Sequence, residues 1–106
     1  MAMALPAQAA FEFVSRAYEV KARNFVAPMT PNGGFVVKTC DDCASLRLRT
    51  TSETRYSFDG KWMSLERFRD TLQKAPSDQV SIGVLHHLET DTVVRIFATQ
   101  RVERSQ

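Results

Sequence analysis

Cys40 and Cys43, the two cysteines of the chain, enclose Asp41 and Asp42. A Cys-x-x-Cys pair fits two chemistries and one structural role. Thiol–disulfide exchange wants the pair at the mouth of a helix, where free amides and the helix dipole stabilise a thiolate. Here the residues beyond Cys43 alternate as a strand, and the intervening carboxylates oppose a second anion. Zinc needs four ligands. Cys40 and Cys43 have the spacing of half a site, and His86 and His87, the two histidines, are the candidates for the rest. Neighbours on a strand face opposite ways, so an extended segment at 85–88 cannot aim both imidazoles at one ion. A carboxylate of Asp41 or Asp42 would have to complete the set. In a reducing cytosol the thiols would stay free. In an oxidising compartment they are expected to pair, closing a short loop worth at most about 2 kcal/mol by chain entropy. The structural disulfide is the preferred reading. The alternative is a zinc or thiol-redox module built on Cys40, Cys43 and a histidine.

The histidines carry no further signal. A general base needs a nucleophile to serve, and no serine or cysteine lies in a recognisable elbow or helix-start context. The expectation is one imidazole half-buried under a helix and one solvated. Arg47, Arg49 and Arg55, with Lys38 and Lys61, alternate toward what should be the wet face of a sheet. Interleaved with Tyr56 they would resemble a nucleic-acid surface, but parity places Tyr56 opposite Arg55, and Glu53 and Asp59 dilute the charge. No nucleic-acid partner is expected. Trp62 is expected in the turn before a helix, either closing the core edge or anchoring a partner. With Arg47 and Arg49 it makes the candidate partner surface.

A chain of 106 residues is large enough for one core and too small for two. Hydrophobic residues at 43% and charged residues at 25% exclude an intrinsically disordered composition, and a net charge of +2 points to no polyanion. No apolar run approaches the roughly 20 residues that span a bilayer. The first residues differ from the rest. They are uncharged and rich in Ala and Met, and they end in the small-x-small pattern Ala7-Gln8-Ala9 before Ala10, which a signal peptidase pocket admits. Residues 1–9 therefore read as the remnant of a cleaved export signal, residues 10–100 as a single domain, and residues 101–106 as a flexible tail. A periplasmic or secreted location follows, with the cytoplasm as the alternative.

The elements that would position these residues follow from period and punctuation. Residues 11–26 fit a helix face (Phe11, Val14, Tyr18) and a strand (Val14, Tyr18, Val20 on one parity), so a second, N-terminal helix stays open. Pro28, Pro31 and Asn32-Gly33-Gly34 make a loop. Strands are expected over 35–39, 45–51 and 54–58, the last two parted by a turn at Ser52-Glu53, with alternation that buries one face. Asp59-Gly60 is a turn, and Ser64 is an N-cap for a helix over about 64–75 that presents Leu65, Phe68 and Leu72 and stops before Pro76. Strands over 80–88 and 92–100 complete the set, with Val94, Ile96 and Ala98 on one face of the last. The fold class is α+β: an antiparallel sheet of about five strands with one helix on one face.

The run from Tyr56 to Val84 (strand, Asp-Gly, Ser-Leu-Glu, short helix, strand) resembles the periplasmic domains of TolR-type energy-transducing proteins over about a quarter of the chain. That family's transmembrane helix and membrane-embedded acidic residue do not occur in this sequence, and no function or residue is carried across. The functional expectation is a small exported, non-catalytic domain that binds a protein partner or serves an envelope assembly, without a cofactor.

Overall fold

The computed structural model describes residues 15–101. The local signals with the strongest chemistry set its landmarks. Asp59 and Gly60 both adopt positive φ, 50° and 85°, and they join β4 (Leu46–Phe58) to β5 (Lys61–Met63) with Phe58 opposite Lys61. A two-residue loop with both φ positive matches the right-handed twist of a hairpin, which is why Asp-Gly is its commonest signal. Ser64 then caps α1 (Leu65–Lys74), its hydroxyl accepting from the Arg67 amide at 3.2 Å. Glu66 in the first turn and Lys74 in the last complement the helix dipole. Phe68 is fully buried, and Leu65 and Leu72 pack at the edge of the same core.

The remaining strands are β1 (Ser15–Lys21), β2 (Phe25–Val26), β3 (Gly34–Val37), β6 (Val80–His87) and β7 (Thr92–Gln100). The sheet therefore has seven strands instead of about five. Its order is β1-β6-β7-β4-β3-β2, with β5 paired to the far end of β4. It is also mixed: β4 runs parallel to β7, and every other ladder is antiparallel. Three added strands, β1, β2 and β5, raise the count, and the fusion of the strands expected at 45–51 and 54–58 into β4 lowers it by one. The ambiguous N-terminal segment is a strand from Ser15 to Lys21, where a seven-pair ladder with β6 overrides helix propensity. After a single 3-10 turn (Ala22–Asn24) it adds β2. A second N-terminal helix is thus absent from the described part of 11–26. Residues 11–14, the signal-like residues 1–9 and residues 102–106 of the tail lie outside the described residues.

The turn expected at Ser52-Glu53 is instead an irregularity within one 13-residue strand. Its amides are held locally: Thr51 N donates to Thr54 Oγ1, Glu53 N to Thr51 Oγ1 and Ser52 N to Asn32 Oδ1, at 3.0–3.1 Å. A matching bulge lies on β7. Leu85 faces Arg95 but His86 faces Val93, leaving Val94 unpaired. An extra residue inverts parity beyond it. Val93 is therefore buried at 1% exposure and Val94 is out at 41%, the reverse of strict alternation with Ile96. The buried Thr54 hydroxyl donates to Val93 O at 2.6 Å and ties the two irregularities together.

These paired distortions bend the sheet. Its outermost strands, β1 and β2, are separated in sequence only by Ala22–Asn24, so the sheet must curl until its edges meet around the core. Phe68 enters the concave side, its ring 5.3 Å from that of Tyr56 and 6.5 Å from that of Phe25, with Ile82, Val84, Ile96 and Val37 around them. Burial pushes the Tyr56 phenol above its usual range.

Candidate binding face and the disulfide turn

Cys40 and Cys43 are joined as a disulfide in the loop between β3 and β4, with Cα atoms 5.0 Å apart. The Cys43 amide donates to Cys40 O at 3.1 Å, so the sulfur bridge spans a hydrogen-bonded turn and no helix begins there. Asp41 at its tip accepts from Asn24 Nδ2 at 3.0 Å and Arg23 Nη2 at 2.7 Å. The Asn24 amide and the Arg23 guanidinium hold its carboxyl below the usual carboxylate range. Lys38 N donates to Asn24 O at 3.0 Å alongside. The turn thus clips the β3–β4 loop to the 3-10 turn where the sheet edges meet.

The histidines sit elsewhere. Cys40 and Asp41 share a groove with Lys21 and Ser81, at the start of β6. His86 and His87 are at its other end, about 20 Å away at the rise of an extended strand. The four candidate metal ligands are therefore not brought together, and the two sulfurs are bonded to each other. Among the described residues no group of three or more His, Cys, Asp or Glu side chains is placed to hold a metal ion. His86 faces inward at 7% exposure, beside the Tyr18 ring. Its Nε2 donates to Asp91 Oδ1 at 2.9 Å, and its buried Nδ1 has no partner among the described residues. His87 faces the other way, its Nδ1 bonded to the Thr90 hydroxyl at 3.2 Å.

The convex face of the sheet assembles what local reading could not. Gly83, Phe97, Ser57 and Trp62 are successive cross-strand neighbours on β6, β7, β4 and β5. The Phe97 ring lies on Gly83: a Cβ there would sit 2.2–2.8 Å from three of its ring atoms. Ser57 points to this face yet is only 6% exposed, with aromatic residues on both sides. In the adjacent row Arg55 and Arg95 are direct partners across the parallel ladder. Like charges so placed normally repel. Here the Arg55 guanidinium lies over Trp62, 4.5 Å from the ring centroid, and Arg95 lies 5.6 Å from Trp62 and 4.9 Å from Phe97. The negative ring faces offset the crowding.

Trp62 is therefore on a strand, not in a turn, and stands 52% exposed. Its arginine neighbours are Arg55 and Arg95. Arg47 and Arg49 project from the other half of β4, opposite Val36 and Gly34. Lys61 is exposed on β5, and Lys38 follows β3 half-buried. Among the described residues the charged pairs are Arg23–Asp41 and Lys74–Asp70, with His86 bonded to Asp91, so Arg47, Arg49, Arg55 and Arg95 are not salt-bridged to a carboxylate there. Neither Arg55 nor Arg95 donates a side-chain hydrogen bond within the described residues, so their N–H groups are open to solvent or to a ligand. Phe97, Gly83, Glu19 and Thr99 continue the face into an open groove of about 890 Å³. Arg95 and Phe97 were legible only as alternating outward residues of β7. Their meeting with Trp62 depends on the parallel β4–β7 pairing, which no local spacing announces.

Comparison with protein-family models, with curated proteins and with solved structures finds no match for this chain. No helix among the described residues is long and apolar enough to cross a membrane.

Proposed function

We propose that this chain is a small non-catalytic binding domain of the cell envelope or extracellular space that engages a protein partner through the convex face of its sheet. The observation carrying the reading is the Arg55–Trp62–Arg95–Phe97 cluster. It is exposed and ordered by aromatic rings, and neither guanidinium is ion-paired among the described residues. Unpaired arginines gathered on rings are a surface composition enriched at interface centres. The Cys40–Cys43 disulfide supports a location outside the reducing cytosol, because such bonds persist only where thiols are not continually re-reduced.

Site-specific photo-crosslinking in the cells that make the protein tests the face. A probe at Thr99, two residues beyond Phe97 on the same face of β7, is expected to give an adduct, and one at Gln73 on the exposed side of the helix is not. Adducts from the helix alone would overturn the reading. The same cells test the compartment: with thiols alkylated at lysis, Cys40 and Cys43 are expected to remain unlabelled. Two labelled cysteines would remove the extracytosolic assignment.

A further inference from the structure

We infer that the occupant of the convex face is an acidic, extended segment of a partner protein, whose carboxylates take the open N–H edges of Arg55 and Arg95. This rests on the binding-domain reading and specifies the partner's chemistry. The argument is one of charge and geometry. Both guanidiniums lie within 5.6 Å of one ring centroid, so they present a compact pair of forked donors. Guanidinium forks match carboxylates bidentately. Acidic side chains two apart on an extended chain project to the same side roughly 7 Å apart, a spacing this pair can meet.

The alternatives fit less well. Nucleic-acid platforms leave ring faces free for base stacking. Here Trp62 is overlaid by guanidinium, and Phe97 lies between Gly83 and Arg95. Interfacial membrane binding scales with apolar area inserted. Of the exposed large apolar side chains Val26, Met29, Trp62, Leu88 and Val94, only Trp62 belongs to the cluster, and its ring carries the arginines. A two-fold pairing of this face with a second copy would set arginine pair against arginine pair.

The test uses a fluorescent peptide of alternating Glu and Thr, with phosphatidylglycerol vesicles and oligothymidylate as competing probes. Binding of the peptide to the wild-type protein is expected, weakening as salt is raised. The double variant R55A/R95A should weaken it at least about tenfold, and R55K/R95K should recover only part, since an ammonium lacks the fork. R47A/R49A, removing equal charge from the other half of β4, should change it by no more than about twofold. Should the double variant melt early, Arg95→Gln alone provides the readout. Failure of the peptide to bind, or equal binding by R55A/R95A, overturns the inference. If vesicles or oligothymidylate bind through Arg55 and Arg95 while the peptide does not, the acidic segment is excluded and the binding face survives. If no probe depends on those arginines, both fall.

Discussion

The two halves of β4 carry the same pattern, outward arginines alternating with buried residues, yet they end in different surfaces. In the first half Arg47 and Arg49 face Val36 and Gly34 across the β3 ladder, with no ring contact or salt bridge among the described residues, although Asp91 lines the same groove. In the second, Arg55 stands beside Arg95 and over Trp62, because β7 and β5 flank the strand there. The irregularity between Thr50 and Arg55 is where the strand exchanges one set of partners for the other. The lesson is that an alternating arginine becomes part of a site through its cross-strand neighbours. Its own strand contributes only the direction in which it points.

The comparison can be broken at its support, then at each half. Phe68 serves both, packing on Tyr56 of the second half and on Phe25 of β2, the strand beyond the first half's partner β3. Phe68→Ala removes a fully buried ring and is expected to cost about 3–5 kcal/mol in urea unfolding. A smaller loss would mean that the helix is dispensable to the curled sheet. Gly83→Ala acts on the second half alone. The new methyl collides with the Phe97 ring, and a loss of about 1–3 kcal/mol is expected, together with a change in Trp62 fluorescence as Arg95 loses its seat. An unchanged protein would show that Phe97 is free to move off the strand.

Smaller effects sharpen the contrast. Arg55→Ala should destabilise by about 0.5–1 kcal/mol through the lost ring contact, whereas Arg47→Ala should stay within about 0.5 kcal/mol. Equal values for the two would erase the distinction between the halves. The smallest effect concerns the disulfide turn before the first half. The Asp41 carboxyl titrates below its ordinary value of 3.8 when folded. Its contribution is therefore full above that value and lost as pH falls through the lower folded one. Thermal melts of wild type and Asp41→Ala should differ near neutrality and converge in that acid window. A gap that persists there would place the clip's strength elsewhere than in the charged carboxylate.

Legibility in the sequence followed the range of the interaction. The Asp59-Gly60 hairpin, the Ser64 cap, the stop before Pro76 and the face of Leu65, Phe68 and Leu72 each depend on a few neighbouring residues, so they could be read directly. The alternation of residues 46–50 was equally plain. Residues 15–21 were not, since the β strand there is stabilised by its ladder to β6, 60 to 72 positions away. Val94 misled because a bulge reverses parity without any change in composition.

What the sequence alone determined is the chemistry of turns, caps and faces: where backbone needs positive φ, where a hydroxyl meets free amides, and which side of a strand is greasy. Those interactions close within a few residues. Only the folded chain decided that β4 runs beside β7, that the sheet curls until β1 and β2 adjoin, and that Arg55, Arg95, Trp62 and Phe97 share one surface. Each of these pairs residues whose proximity results from competition among all possible ladders for the same backbone donors and the same core.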